Sequence, residues 1–155
     1  MFKVIWLGVL ALLPLMVQPS FADDREKLVG IWKLVSWERE IIATGQRKPH
    51  LGNSPTGYLI FTPDGRMMVL ITGEGRLGLN TNQNCAELFS SMYAYTGMYQ
   101  IQGDKWITKI DVAWNPGWVG NNAIRSFTIE GNRLQAIAGS GRTEKDIITW
   151  EKVKD

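Results

Sequence analysis

Few residues in this chain have the chemistry of a nucleophile, a metal ligand or a phosphate cradle. The 155 residues include one histidine, His50, and one cysteine, Cys85. A zinc site needs several His, Cys or carboxylate ligands at set spacings, and a thiol nucleophile needs a histidine to activate it. Neither pattern is present, so no metal, no cofactor and no identifiable catalytic residue is expected. Cys85 lies where a helix is expected to begin, a position that lowers a thiol pKa, but spacing identifies no histidine or asparagine to activate it as a nucleophile. His50, among Arg47, Lys48 and Pro49, reads as a solvated loop residue. The run Gly73-Glu74-Gly75-Arg76-Leu77-Gly78 satisfies G-x-G-x-x-G, yet the next helix signal starts only near Asn84. A dinucleotide site needs its helix to begin at the glycines, so this run reads as a rim loop.

What remains is a set of aromatic and charged residues suited to holding a small molecule. Strand directions, counted from the turns described below, bring Tyr58, Tyr93, Tyr95, Trp114 and Trp118 to one end of the fold. Rings with a polar handle suit the rim of a ligand pocket. Alternation places Arg125 on the same face as Phe127 and Ile129, pointing inward near that end, and carries Glu38 to the upper part of an inward face. A guanidinium is charged at any working pH and matches a carboxylate, so Arg125 is the candidate anchor for an acidic head group. Fatty-acid-like or aromatic acids are the favoured ligands, with Glu38 as the alternative partner of Arg125.

These residues need a scaffold, and composition bounds it. The chain is 45% hydrophobic and 21% charged, with 17 Lys plus Arg against 15 Asp plus Glu. That balance fits one globular domain and gives no electrostatic footprint for nucleic acid. Residues 1–22 have a basic start at Lys3, an apolar run from Val4 to Val17 and a small-residue ending at Ser20 and Ala22. They read as a secretory signal peptide cleaved after Ala22, the run being shorter than the ~20 residues that span a bilayer. The expectation is an exported protein, periplasmic or secreted, with residues 23–155 as the domain and no stable membrane anchor after cleavage.

Within that domain, eight segments read as strands: 31–41, 58–62, 66–72, 98–102, 105–114, 121–130, 133–138 and 145–153. Pro63-Asp64-Gly65, Gly103-Asp104 and Gly131-Asn132 form short hairpin turns between them. The segment 105–114 alternates most clearly, with Trp106, Thr108, Ile110, Val112 and Trp114 on one face. Between the third and fourth strands, Asn84-Cys85-Ala86-Glu87 resembles a capping box ahead of LFSSMYAYT and a Gly97 stop, predicting one short helix. Eight strands joined as neighbours leave the first and last antiparallel. The expected fold is therefore all-β: an eight-stranded up-and-down antiparallel barrel, wide enough for one small ligand.

A resemblance supports this reading. LVGIWKLVSWE, PTGYLIFTPDGRMMV, YAYTGMYQIQGD, NPGWVGNNAIRSF and TWEKV, taken together over Leu28 to Val153, resemble the small lipocalin-like domain family of bacteria and fungi. The resemblance implies a β-barrel with a ligand-sized interior. It also implies a cation near Trp32 at the barrel floor, supplied here by Lys152 or Lys154. The function expected first is binding of a small, largely apolar or amphiphilic molecule. An isomerase or cyclase using the same pocket ranks second, because no triad or paired carboxylates appear at recognisable spacing. An envelope protein-interaction module with a filled barrel is the third reading.

Overall fold

A computed structural model describes residues 21–78, 82–139 and 141–154. Most of the expected signal peptide, residues 1–20, lies outside the described residues. The chain runs through α1 (Phe21–Leu28), β1 (Gly30–Ile41), β2 (Arg47–Pro49), β3 (Thr56–Phe61), β4 (Arg66–Thr72), α2 (Asn82–Ser90), β5 (Met92–Gln102), β6 (Lys105–Ala113), a single 3-10 turn (Pro116–Trp118), β7 (Asn122–Glu130), β8 (Arg133–Gly139) and β9 (Glu144–Lys152). Strands β1 and β3 to β9 pair antiparallel in chain order, and β9 returns to β1 over Trp32↔Lys152 to Ile41↔Glu144. This closes an eight-stranded barrel and removes its exposed edges. Among the described residues, no helix is long and apolar enough to cross a membrane.

The lower end of the barrel is plugged. Trp32, Phe61, Met67, Leu134 and Trp150 are each at most 2% exposed. Phe61 packs edge-on against Tyr99 at 4.9 Å and Trp106 at 5.3 Å, and Trp106 lies 5.5 Å from Phe127. The stretch before β1, polar in sequence, forms α1 and closes this end from below. Leu28 is fully buried and its carbonyl accepts the Trp32 indole N–H at 2.8 Å. Lys152 Nζ stands 5.1 Å from the Trp32 ring centre and donates to the Lys27 carbonyl at 2.9 Å, so the cation expected at the floor is Lys152. Gly30 makes room for it: φ is +132°, and a Cβ there would meet Lys152 Cε at 3.0 Å.

Two β-bulges reset which side chains face inward. Along β1 the register with β9 shifts between Leu34 and Ser36, so Val35 is the extra residue. Trp32 and Leu34 point inward below the bulge, and Trp37 and Arg39 do so above it. On β6 the register with β5 shifts opposite Thr96 and Gly97, leaving Asp111 as the extra residue. Asp111 instead binds the Arg66 guanidinium on the outer surface, at 3.1 and 2.9 Å. A bulge inserts one residue and reverses alternation beyond it. Val112, expected inside, is accordingly 63% exposed.

The helix between β4 and β5 is present but shorter than its sequence predicts. It starts at Asn82, ahead of the expected cap at Asn84, and ends at Ser90. Strand β5 takes over at Met92, so Tyr93 and Tyr95 are strand residues. Gly97 is no helix stop: it lies in mid-strand, where a Cβ would come within 2.0 Å of the Lys109 carbonyl at the bulge. The short strand β2 occupies part of a segment predicted as loop and pairs with the upper part of β1 over Glu38↔Pro49 to Glu40↔Arg47.

Candidate functional site

The upper end of the barrel opens into a cavity of about 350 Å³. Each wall comes from an element whose end lies at this mouth. Upper β1 contributes Trp37 and Arg39, the start of β9 contributes Asp146, and the loop after β2 contributes His50 and Leu51. The last turn of α2 lies over the mouth with Phe89 and Ser90, and β5 begins there with Met92 and Tyr93. Trp114, Asn115 and Trp118 come from the end of β6 and the loop after it. Asn115 shapes that loop by accepting the Gly117 amide at 2.9 Å, which fixes the 3-10 turn carrying Trp118.

The rings form two groups. His50 lies 4.6 Å from Trp37, Trp37 meets Tyr93 edge-on at 5.1 Å, and Tyr93 meets Trp118 at 4.8 Å. Separately, Trp114 packs on Phe89 at 5.4 Å and donates its indole N–H to the Phe89 carbonyl at 3.2 Å. This second group ties α2 to the barrel rim.

Charge enters the barrel in an unequal ratio. Arg39 meets Asp146 through Nε to Oδ1 at 2.8 Å and Nη2 to Oδ2 at 3.3 Å, with Glu144 at 3.7 Å from Nε on the more exposed side. The Asp146 hydrogen bond raises the Arg39 pKa above its ordinary value. Deeper inside, Arg125 donates to the Tyr93 hydroxyl at 2.7 Å and to its neighbouring Ile124 carbonyl at 2.8 Å. Burial works against the Arg125 charge, but the Tyr95 and Tyr93 phenols and the field of Asp146 more than offset it. Among the described residues, two guanidiniums thus face one interior carboxylate, Asp146, and the Tyr93 hydroxyl and Ile124 carbonyl that accept from Arg125 are neutral. The indole N–H of Trp37, on the cavity wall, finds no acceptor among the described residues and adds to the donors there. Burial pushes the Tyr95 phenol well above its ordinary range, and burial, followed by the Arg39 charge, lowers His50. Among the described residues, no cluster of His, Cys, Asp and Glu is suited to a metal ion.

The structure brings Tyr93, Tyr95, Trp114 and Trp118 together at the mouth, with Tyr95 buried behind Tyr93 at 5.6 Å. Trp114 arrives from the rim and not along the inner face, because the Asp111 bulge turns its strand over. Arg125 points inward as expected but stands behind Tyr93, outside the cavity lining. Two expected site residues lie elsewhere. The Val35 bulge turns Glu38 outward, where it lies 3.8 Å from Arg47 and away from Arg125. Tyr58, 49% exposed, sits on the outer face of β3, whose inward residues are Leu59 and Phe61. Trp37, Arg39, Asp146 and His50 were missed. Asp146 shares a strand face with Ile148 and Trp150, so alternation alone could have found it. The shift at Val35 hides Trp37 and Arg39, and His50 depends on β2 folding the loop onto Trp37.

A family model described as a lipocalin-like domain matches residues 29–153. No curated protein matches the chain. Among solved structures, a lipocalin-like protein from Bacteroides uniformis is similar at 14% identity and a TM-score of 0.46, over 81% of this chain and 98% of its own. An uncharacterized protein from Bacteroides eggerthii gives 12% identity and a TM-score of 0.45, over 81% and 99%. Echinococcus granulosus fatty-acid-binding protein 1 gives 15% and 0.40, over 83% and 99%. The match over the whole barrel, from the residue before Gly30 to the one after β9, makes this chain a member of the lipocalin-like domain family.

Proposed function

We propose that the protein is exported and binds a small, largely apolar acid in the upper cavity of its barrel. The observation that carries this reading is the pairing of an aromatic-walled cavity of about 350 Å³ with an inward, half-buried guanidinium, Arg125, that has no carboxylate of its own among the described residues. Ligand pockets run from roughly 300 Å³ upward, whereas a filled interaction module would have far less space. A charge partly withdrawn from water is costly unless paired, and Asp146 is already engaged by Arg39. An acidic ligand supplies the missing charge. Arg125 donates to the Tyr93 oxygen, which also shares a hydrogen bond with the Tyr95 hydroxyl, so the positive field reaches the cavity wall through the Tyr93 phenol. The aromatic walls take up the apolar remainder.

Native mass spectrometry of protein purified from its own host tests this directly. The expected result is a co-purifying acid that dissociates on activation, on a chain beginning at Asp23. A chain that retains residues 1–22 contradicts export by signal cleavage. Failure to retain or take up any small acid contradicts the binding function.

A further inference from the structure

Fatty-acid-like and aromatic acids need very different space, and the barrel offers little of it. Below the cavity, Phe61, Trp106 and Phe127 are joined ring to ring at 5.3 and 5.5 Å, with Trp150 and Met67 buried at the same end. An acyl chain entering from the mouth meets this wall. At the roughly 30 Å³ per non-hydrogen atom of a liquid such as water, about a dozen atoms fill the space above it. Six of the lining residues carry rings, in the two groups His50–Trp37–Tyr93–Trp118 and Phe89–Trp114. Rings of this kind favour offset stacking or edge-to-face contact with another ring, a geometry that a flexible chain does not offer.

We infer that the occupant is a compact planar aromatic acid of about a dozen non-hydrogen atoms, not a long acyl chain. The inference rests on the acid-binding reading above and narrows it. The carboxylate is placed at the Tyr93 hydroxyl, on the Arg125 side, and the ring system lies against Trp37 and Trp118.

Isothermal titration calorimetry on the purified full-length protein separates the possibilities, using 2-naphthoate, its methyl ester and linear acids from octanoate to hexadecanoate, each below its micelle concentration. The expected result is 2-naphthoate binding at least ten-fold tighter than octanoate. The linear series should gain up to about four-fold per methylene only as far as decanoate and then level off. A series that keeps climbing to hexadecanoate, or octanoate equal to 2-naphthoate, overturns the inference while leaving the acid-binding reading in place. No binding by any acid overturns both. Trp118→Ala should weaken 2-naphthoate about ten-fold and decanoate less than three-fold. Equal losses for the two would remove the stacking role and the aromatic assignment with it.

Discussion

The two ends of this barrel are built from the same residue types and do opposite things with them. At the lower end, Trp32 and Trp150 are buried among Leu28, Phe61 and Leu134, and the floor charge, Lys152, stays outside and covers Trp32 from above the ring. At the upper end, Trp37, Trp114 and Trp118 line an open cavity, and two guanidiniums and a carboxylate point inside. The Val35 bulge on β1 divides the two regimes: below it the inward face continues an apolar plug, and above it the inward face carries Arg39. Aromatic content alone therefore says little about function. What distinguishes core from site is whether the rings pack against one another or around a space beside an unmatched charge.

Breaking each end should give opposite signatures. Trp32→Ala is expected to cost about 3–5 kcal/mol in a denaturant melt, since it empties the floor of a tightly packed region. Trp118→Ala should cost only about 1–2 kcal/mol, the scale of its two ring contacts, while weakening ligand binding. Equal stability losses would mean the upper rings are core as well.

Asp146→Asn probes the polar side of the contrast. Removing the acid leaves Arg39 without its bidentate partner, and a loss of about 1–3 kcal/mol in thermal or chemical melts is expected. The lower part of that range is favoured because a third of the Arg39 side chain, 34%, stays in water. The same substitution leaves Arg39 only the more exposed Glu144 at 3.7 Å and removes the interior carboxylate whose field reaches Arg125, so affinity for an acid should rise even as stability falls. Affinity falling in parallel with stability would make the Arg39–Asp146 pair a direct part of the ligand seat.

The smallest effect concerns His50. Its folded pKa lies below the ordinary 6.5, chiefly through burial against Trp37 and then through Arg39. The unfolded chain therefore takes up the proton more readily than the folded one. This group's contribution is complete above about pH 6.5 and is lost as pH falls below that value towards the folded pKa. Melts from pH 7.5 to pH 5 should show stability falling with acidification, and His50→Gln should flatten part of that slope. An unchanged slope would place His50 in solvent, as its loop sequence suggests.

The sequence makes the hairpins and the closure legible because their chemistry is local. Pro63-Asp64-Gly65, Gly103 and Gly131 mark turns, and all three glycines adopt positive φ. It also gathers Tyr93, Tyr95, Trp114 and Trp118 at one end, since strand direction survives small errors in boundaries. It misleads where a single inserted residue matters. The bulge at Val35 exchanges Glu38 for Arg39 in the interior, and no turn residue announces it. The stretch MYAYT carries aromatic and β-branched residues that suit a strand, but the preceding capping pattern draws the helix across it. Tertiary pairing with Val69 and Ala113 decides in favour of β5.

The most direct test of acid binding compares 2-naphthoate with its methyl ester on the parent protein and on Arg125→Met, a change that keeps the apolar stem and removes the charge. The parent should prefer the acid. In Arg125→Met the acid should lose affinity and the ester much less, the loss staying below the roughly 1.5–3 kcal/mol of a direct hydrogen bond to a charge because Arg125 acts through Tyr93. Equal binding of acid and ester by the parent, or an equal loss of both in the variant, would make Arg125 a structural residue held by Tyr93 and would contradict an acid-binding barrel.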